Sequence, residues 1–305
     1  MLTTFGKHFA RGFAEAASNA TKKKAAGAFG RKALPGIGRI LMTTSCKGGV
    51  GKSTVALNTA LALQKQGMRV GLFDADIYGP SVPTMLNTED KPLYSDAEGN
   101  FIPVENYGMP TVSVGYGIGP KMAMLWKGPI VGKVISDFLR NAIWPELDYL
   151  VLDTPPGTGD VMMSIAQNVP VDGAIVVTQP QNVAVADVER NFDMFKHLKI
   201  KPIGIIQNMD GFRCSKCKTV TKIFPGDGAA NLSKKYNVPL IGSIPIDPEI
   251  ASSGDKGVPA LMAHPDSEYA KIFEKIAKHV IEAIPKQKPR YPARQPVAVE
   301  KEESK

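Results

Sequence analysis

Residues 40–54 run Ile40-Leu41-Met42-Thr43-Thr44-Ser45-Cys46-Lys47-Gly48-Gly49-Val50-Gly51-Lys52-Ser53-Thr54, and this stretch decides the fold. An apolar, Thr-containing run passes directly into a glycine-rich turn, and a helical pattern opens at Ser53. The run has the composition of a strand buried on both faces. Glycines let the following backbone curl so that successive N–H groups face one anion, and the helix N-terminus adds partial positive charge. Lys52 is then placed to reach the β- and γ-phosphates of ATP, and the Ser53 hydroxyl to hold Mg²⁺. The predicted phosphate cradle is Gly48, Gly49, Val50, Gly51, Lys52, Ser53 and Thr54. The general pattern G-x-x-x-x-G-K-[ST] wants glycine where this chain has Cys46, which leaves a thiol near the phosphates.

Outward from this stretch, short apolar runs alternate with helical patterns. The runs fall at residues 40–45, 70–74, 111–115, 149–153, 173–178, 203–208 and 240–244, and the helical patterns at 53–66, 130–141, 183–198, 226–236 and 268–284. Such alternation implies parallel crossovers, hence an α/β, doubly wound, mostly parallel sheet with helices on both faces. Ligands then belong at the carboxyl ends of the strands. Residues 87–110, rich in Pro, Asn, Asp, Glu and Gly, read as an irregular insertion, and 285–305 as a disordered tail.

The chain has 305 residues, 43% hydrophobic and 22% charged, as expected of a globular protein with a sizeable core. No apolar stretch approaches the ~18 residues of a membrane span, so no integral membrane segment is expected. The net charge of +8 invites a nucleic-acid reading. However, residues 1–39 hold Lys7, Arg11, Lys22, Lys23, Lys24, Arg31, Lys32 and Arg39 against the single acid Glu15, so nearly all of that charge belongs to an arm. The rest is close to neutral, and no nucleic-acid partner is expected. Within the arm Leu2, Phe5, Phe9 and Phe13 recur at helical spacing, with Lys7 and Arg11 on the other side. Basic, acid-poor and amphipathic is the composition of a mitochondrial presequence, which predicts a presequence and flexible arm over 1–37 and a matrix location. A basic tail that binds anionic surfaces is the plainer alternative.

Carboxylates follow the predicted strands: Asp74 and Asp76 after the second, and Asp153 after the run 149–152, leading into Thr154-Pro155-Pro156-Gly157-Thr158-Gly159-Asp160. At a strand's carboxyl end, beside phosphates, they suit Mg²⁺-bound water and an attacking water. Each alone is also a common cap.

The three cysteines are too few for a disulfide framework. Cys214 and Cys217 form a C-x-x-C pair, flanked by Arg213, Lys216 and Lys218, cations expected to lower thiol pKa values. A zinc ion or a [4Fe-4S] cluster wants four ligands. No second cysteine pair exists, and His8, His197, His264 and His279 are scattered. A shared metal would therefore need a second copy of the chain. Spacing alone leaves a zinc-bridged dimer, a thiol–disulfide switch, inert structural cysteines and an iron–sulfur site all open.

Taken together, the lysine pair Lys47 and Lys52, the stretches 74–83 and 153–159, Gln207-Asn208-Met209 and Cys214-x-x-Cys217 resemble the Mrp/ApbC iron–sulfur carrier ATPases, over roughly residues 38–284. These are P-loop NTPases with a deviant Walker A loop, related to MinD, ParA and the nitrogenase iron protein. The resemblance implies a homodimer in which Lys47 reaches the partner's nucleotide. It implies that Asp76 orients the attacking water, Asp74 supports the metal region, Asp153 is the Walker B carboxylate and Asn208 binds the base. Lys47, Lys52, Asp76 and Asp153 are thus the expected catalytic residues of an ATPase that hydrolyses slowly without its partner. Cys214 and Cys217 are expected to hold a [4Fe-4S] cluster between subunits for transfer to apo-proteins. With a presequence in front, the resemblance narrows to a mitochondrial branch that serves respiratory complex I. Two rivals are a MinD/ParA-type positioning ATPase and an ATP-driven electron-transfer protein. The first wants a basic surface or a terminal amphipathic helix, and the second takes its cluster ligands from distant loops.

Overall fold

The computed structural model describes residues 31–77, 79–116, 128–157, 159–214, 216–224 and 226–297. The expected presequence pattern, residues 2–13, and the end of the tail lie outside them.

The chain opens with β1 (Ile37–Ser45), and the phosphate-type loop leads into α1 (Lys52–Lys65). There follow β2 (Val70–Asp74), the single turn α2 (Val82–Met85), three short strands β3 (Tyr94–Ser95), β4 (Phe101–Ile102) and β5 (Val104–Asn106), and β6 (Met109–Ser113). The middle of the chain contributes α3 (Gly128–Asn141), β7 (Leu147–Asp153), α4 (Asp160–Asn168), β8 (Gly173–Thr178), α5 (Asn182–Leu198) and β9 (Pro202–Arg213). Last come β10 (Val220–Thr221), α6 (Gly228–Tyr236), β11 (Leu240–Ile246), α7 (Pro248–Asp255), α8 (Ala260–Ala263) and α9 (Glu268–Ala283).

The sheet runs β10-β9-β8-β1-β7-β2-β6-β5, with β11 pairing β9. Strands β6, β2, β7, β1, β8, β9 and β11 are parallel to their neighbours, and only β5 and β10 run antiparallel. Every residue of β2, β7 and β8 is buried. Side chains alternate between faces along a strand. Leu41, Val151 and Val177 join one core with Leu57 and Leu61 of α1 and Phe273 and Ile276 of α9. Their neighbours Met42, Leu152 and Val176 are just as inaccessible, so both faces are covered. This is the doubly wound α/β architecture, and all its parallel strands end on one edge. Among the described residues no helix is long and apolar enough to cross a membrane.

Two expectations are corrected. The insertion 87–110 is not irregular throughout: β3 and β4 form a hairpin, and β5 extends the main sheet antiparallel to β6. Its tight turn is closed by Asp96, whose Oδ1 accepts from Glu98 N (3.0 Å) and Asn100 N (2.8 Å), a local structure that composition does not display. The second concerns the tail. Residues 285–297 follow α9 as an extended strap: Arg39 Nε donates to Pro285 O (2.8 Å), Gln287 Nε2 to Gly38 O (2.8 Å) and Gly36 N to Tyr291 O (2.9 Å). Donors and an acceptor just before and within the start of β1 tie down a chain too polar to build a core of its own. Ahead of β1, Gly36 is held by the strap, Lys32 N donates to Asn168 O (3.1 Å), and Leu34 is buried.

Candidate functional site

At the carboxyl edge, Ser45 ends β1, and its backbone oxygen accepts from Gly157 N (2.7 Å) in the loop after β7. Gly49 and Gly51 take φ +76° and +79°, the left-handed conformations that fold the loop over the start of α1. Lys47, Gly48, Gly49, Lys52, Ser53 and Asp76 line a cavity of about 240 Å³. A second, mostly apolar cavity of about 320 Å³ shares Gly51 and Thr54 with it and is walled by Asn208, Met209, Asp247 and Tyr269. A polar, N–H-rich chamber joined to an apolar one is the division a nucleotide needs, phosphates in one and nucleoside in the other. Asn208 sits between them and donates through Nδ2 to Val50 O (2.8 Å). A Cβ on Gly51 would lie 2.2 Å from that nitrogen, so only glycine fits there.

The predicted carboxylates converge below the loop. Lys52 Nζ lies 2.5 Å from Asp153 Oδ1 and 3.2 Å from Ser53 Oγ, with Lys52 only 6% exposed and Asp153 fully buried. Asp153 Oδ2 is buried with no hydrogen-bond partner among the described residues. Burial pushes the Asp153 carboxyl up, and the Lys52 ammonium opposes the shift. Asp74, beside Asp153 in the β2–β7 register, is raised to about 7 by its own burial and by the Asp153 charge. It accepts from Asp76 N (3.0 Å) and Ser113 Oγ (2.9 Å), so its position is fixed from two sides. Ser113 was not singled out from the sequence, although a hydroxyl ending the neighbouring strand was a readable signal. An orphaned carboxylate oxygen, a nearby Ser hydroxyl and a phosphate chamber are the oxygen-rich setting Mg²⁺ takes, so the residues fit that ion.

The cysteine pair occupies the far end of β9, which runs on past its expected end at Asn208 to Arg213. Met209 and Gly211 take φ +59° and +104° and bend the strand. A Cβ on Gly211 would meet Thr221 O at 2.7 Å, so glycine lets β10 fold back against β9. Between them Cys214 N donates to Thr219 O (3.0 Å) and Lys218 N to Cys214 O (2.9 Å), which makes a tight hairpin. Cys214 is half-buried and Cys217 exposed, both as free thiols. Cys217 is lowered to about 7, first by hydrogen bonds with Thr219 and then with Cys214. The neighbouring cations, expected to lower it, are not the cause: Arg213 pairs with Asp247 (3.5 Å) and Lys218 with Glu249 (3.7 Å). Among the described residues no third Cys, His, Asp or Glu joins the pair in metal-holding geometry.

Residues 36–281 match the family model described as the ParA-type NUBPL iron-transfer P-loop NTPase. The chain belongs to this family. An iron–sulfur cluster carrier protein of Aquifex aeolicus is 46% identical over 257 residues, 84% of this chain and 71% of that protein. The mouse iron–sulfur cluster transfer protein NUBPL is 39% identical over 257 residues, 83% of this chain and 80% of its own length. Among solved structures, a nucleotide-binding protein of Archaeoglobus fulgidus in complex with ADP aligns with a TM-score of 0.65 and 33% identity, covering 78% of this chain and 93% of that one. In this NUBPL-type P-loop NTPase the fold is thus the doubly wound sheet expected from the sequence, and the loop 46–54 is that of a nucleotide-hydrolysing family.

Proposed function

We propose that this protein is an ATP-dependent iron–sulfur carrier whose cargo, a [4Fe-4S] cluster, is held by Cys214 and Cys217 of two subunits and passed to apo-proteins. The observation that carries the reading is the path of β9: Asn208 and Met209 line the apolar cavity, and the same strand ends on the cysteine hairpin. The names of the Aquifex and mouse relatives support the cargo. A half-buried thiol beside an exposed one whose pKa is lowered suits a cargo that must be taken up and released. Four-fold thiolate ligation from a chain offering two adjacent cysteines supports the homodimer.

In this reading Gly48, Gly49, Val50, Gly51, Ser53 and Thr54 cradle the phosphates, Lys52 neutralises them and Asn208 borders the base. Ser53 and Asp153 would hold Mg²⁺, which would screen phosphate charge. Asp76, on the wall of the phosphate chamber, orients the attacking water, and Asp74 holds Asp76 through its backbone. Lys47 closes the dimer on the partner's nucleotide, and hydrolysis is slow until a recipient docks. The basic arm and the likeness to mouse NUBPL support a matrix location and delivery to respiratory complex I.

Anaerobic reconstitution with iron and sulfide, followed by metal analysis and sizing, tests the centre of this proposal. Half a four-iron cluster per chain in a dimer is expected, and Cys214→Ala should hold no cluster yet still bind ATP. A monomer with fully ligated iron, or zinc alone under iron-replete conditions, would overturn it.

A further inference from the structure

The first turn of α7 is a wall shared by two sites. Asp247 and Ile250 line the apolar cavity, while Asp247 Oδ2 lies 3.5 Å from Nη1 of Arg213, the residue before Cys214. The other oxygen, Oδ1, accepts from Glu249 N (3.0 Å) and caps the helix. One carboxylate therefore holds the helix start and the hairpin at once. Beyond the cysteines Lys218 pairs with Glu249 of the same turn, so the hairpin is gripped before and after its thiols. The two grips differ in weight. Lys218 and Glu249 are 51% and 50% exposed and screened by water, whereas Arg213 and Asp247 are 18% and 11% exposed.

The backbone offers a weaker link. Met209 and Gly211 stand in left-handed conformations between the cavity and the hairpin, and the β9–β11 ladder shifts register between Ile244 and Ile246. A broken ladder transmits displacement poorly. The partly buried ion pair spans the break.

We propose that Arg213 and Asp247 are positioning residues through which occupancy of the nucleotide cavity sets the geometry of the cysteine hairpin. This rests on the carrier reading for its biological meaning, but not for its test. A ligand seated against Asp247 and Ile250 biases the start of α7, and Arg213 carries the bias to Cys214. Coupling of this kind is reciprocal, so the state of the thiols alters nucleotide affinity by the same factor.

The test uses the full chain, reduced and free of cluster. Iodoacetamide labelling of Cys214 and Cys217 is followed by peptide mass mapping, which separates them from Cys46, with and without saturating Mg·ADP. Saturation is checked by titration for every variant. Nucleotide should change the labelling rate of the pair by about fivefold, the low end of typical coupling. Arg213→Gln and Asp247→Asn should each abolish the difference, and the double variant should behave as either single one. Asn retains the cap on α7, so its effect is not loss of the helix start. An undiminished nucleotide effect in both variants, or none in the parent protein, overturns the proposal. Iron uptake is read separately: coupling without iron uptake would sink the carrier reading alone, and a loaded dimer without coupling would sink this inference alone.

Discussion

Lys52 Nζ and Asp153 Oδ1 are 2.5 Å apart beneath the phosphate loop, a buried ion pair that couples the residue expected to meet the phosphates of ATP to the one expected to meet its Mg²⁺. The ammonium cannot serve this carboxylate and an incoming phosphate equally, so nucleotide binding competes with the pair.

Asp153→Asn frees Lys52. The variant should bind ADP several-fold more tightly than the parent in EDTA and lose the gain that Mg²⁺ brings, measured by calorimetry with and without the metal. Lys52→Ala strands the carboxylate instead. Breaking a buried pair from one side costs about 3 kcal/mol, which urea denaturation at pH 8 should register. The loss should shrink as pH falls, because the already raised Asp153 can take up a proton. Nucleotide binding should fall sharply in this variant while iron loading at the cysteines survives.

Asp74 makes the nucleotide-free protein sensitive to pH. Its folded pKa of about 7 stands above the ordinary 3.8, so its contribution is fully present below pH 3.8 and lost as pH rises through 7. Between those limits the parent should lose up to about 1.4 kcal/mol per pH unit relative to Asp74→Asn, with no further divergence above pH 7. Parallel denaturation series from pH 5 to 8 would show it, and a constant gap would refute it.

Gly211→Ala forces a side chain into a backbone at φ +104° that faces Thr221 O. The local strain is roughly 1–3 kcal/mol, enough to open a two-residue pairing without unfolding the sheet. Iron uptake should drop and Cys217 should label faster, while ADP affinity should shift by no more than the roughly fivefold expected of coupled sites. Normal iron uptake would mean that the hairpin does not depend on this glycine.

Deleting residues 286–305 removes the hydrogen bonds to Gly38 and Gly36, together with those from Arg294 Nη1 to Arg140 O (3.2 Å) and from Val297 N to Asp96 Oδ2 (3.3 Å). At about 0.5–1.5 kcal/mol for each of the four bonds the loss should be roughly 2–6 kcal/mol, seen as a lower melting temperature with ATP binding retained. A truly disordered tail would leave the melting temperature unchanged.

The sheet was legible because its strands are continuous apolar runs, and the loop at 46–54 because its chemistry demands glycine and lysine at fixed offsets. Gly173–Thr178, buried throughout, was read to the residue. Elsewhere long-range partners, which leave no periodic trace, decided the outcome. β9 seemed to end at Asn208 because Met209 and Gly211 break the alternation, yet Ile246 pairs with Phe212 beyond them. Helix α4 was missed because it is only nine residues long and follows closely on a glycine- and proline-rich stretch. The acidity of Cys217 was expected from the neighbouring cations, but hydrogen bonds with Thr219, two residues on, and with Cys214 supply it, while Arg213 and Lys218 pair with Asp247 and Glu249.

The bond from Gly36 N to Tyr291 O brings the segment before β1 alongside the strap that follows α9. They meet at the amino end of β1, about 30 Å of strand away from the phosphate loop at ~3.3 Å per residue. Gly36 and Tyr291 could therefore be joined through a short linker and the polypeptide reopened in the loop 87–93, giving a circular permutant that keeps every crossover of the main sheet.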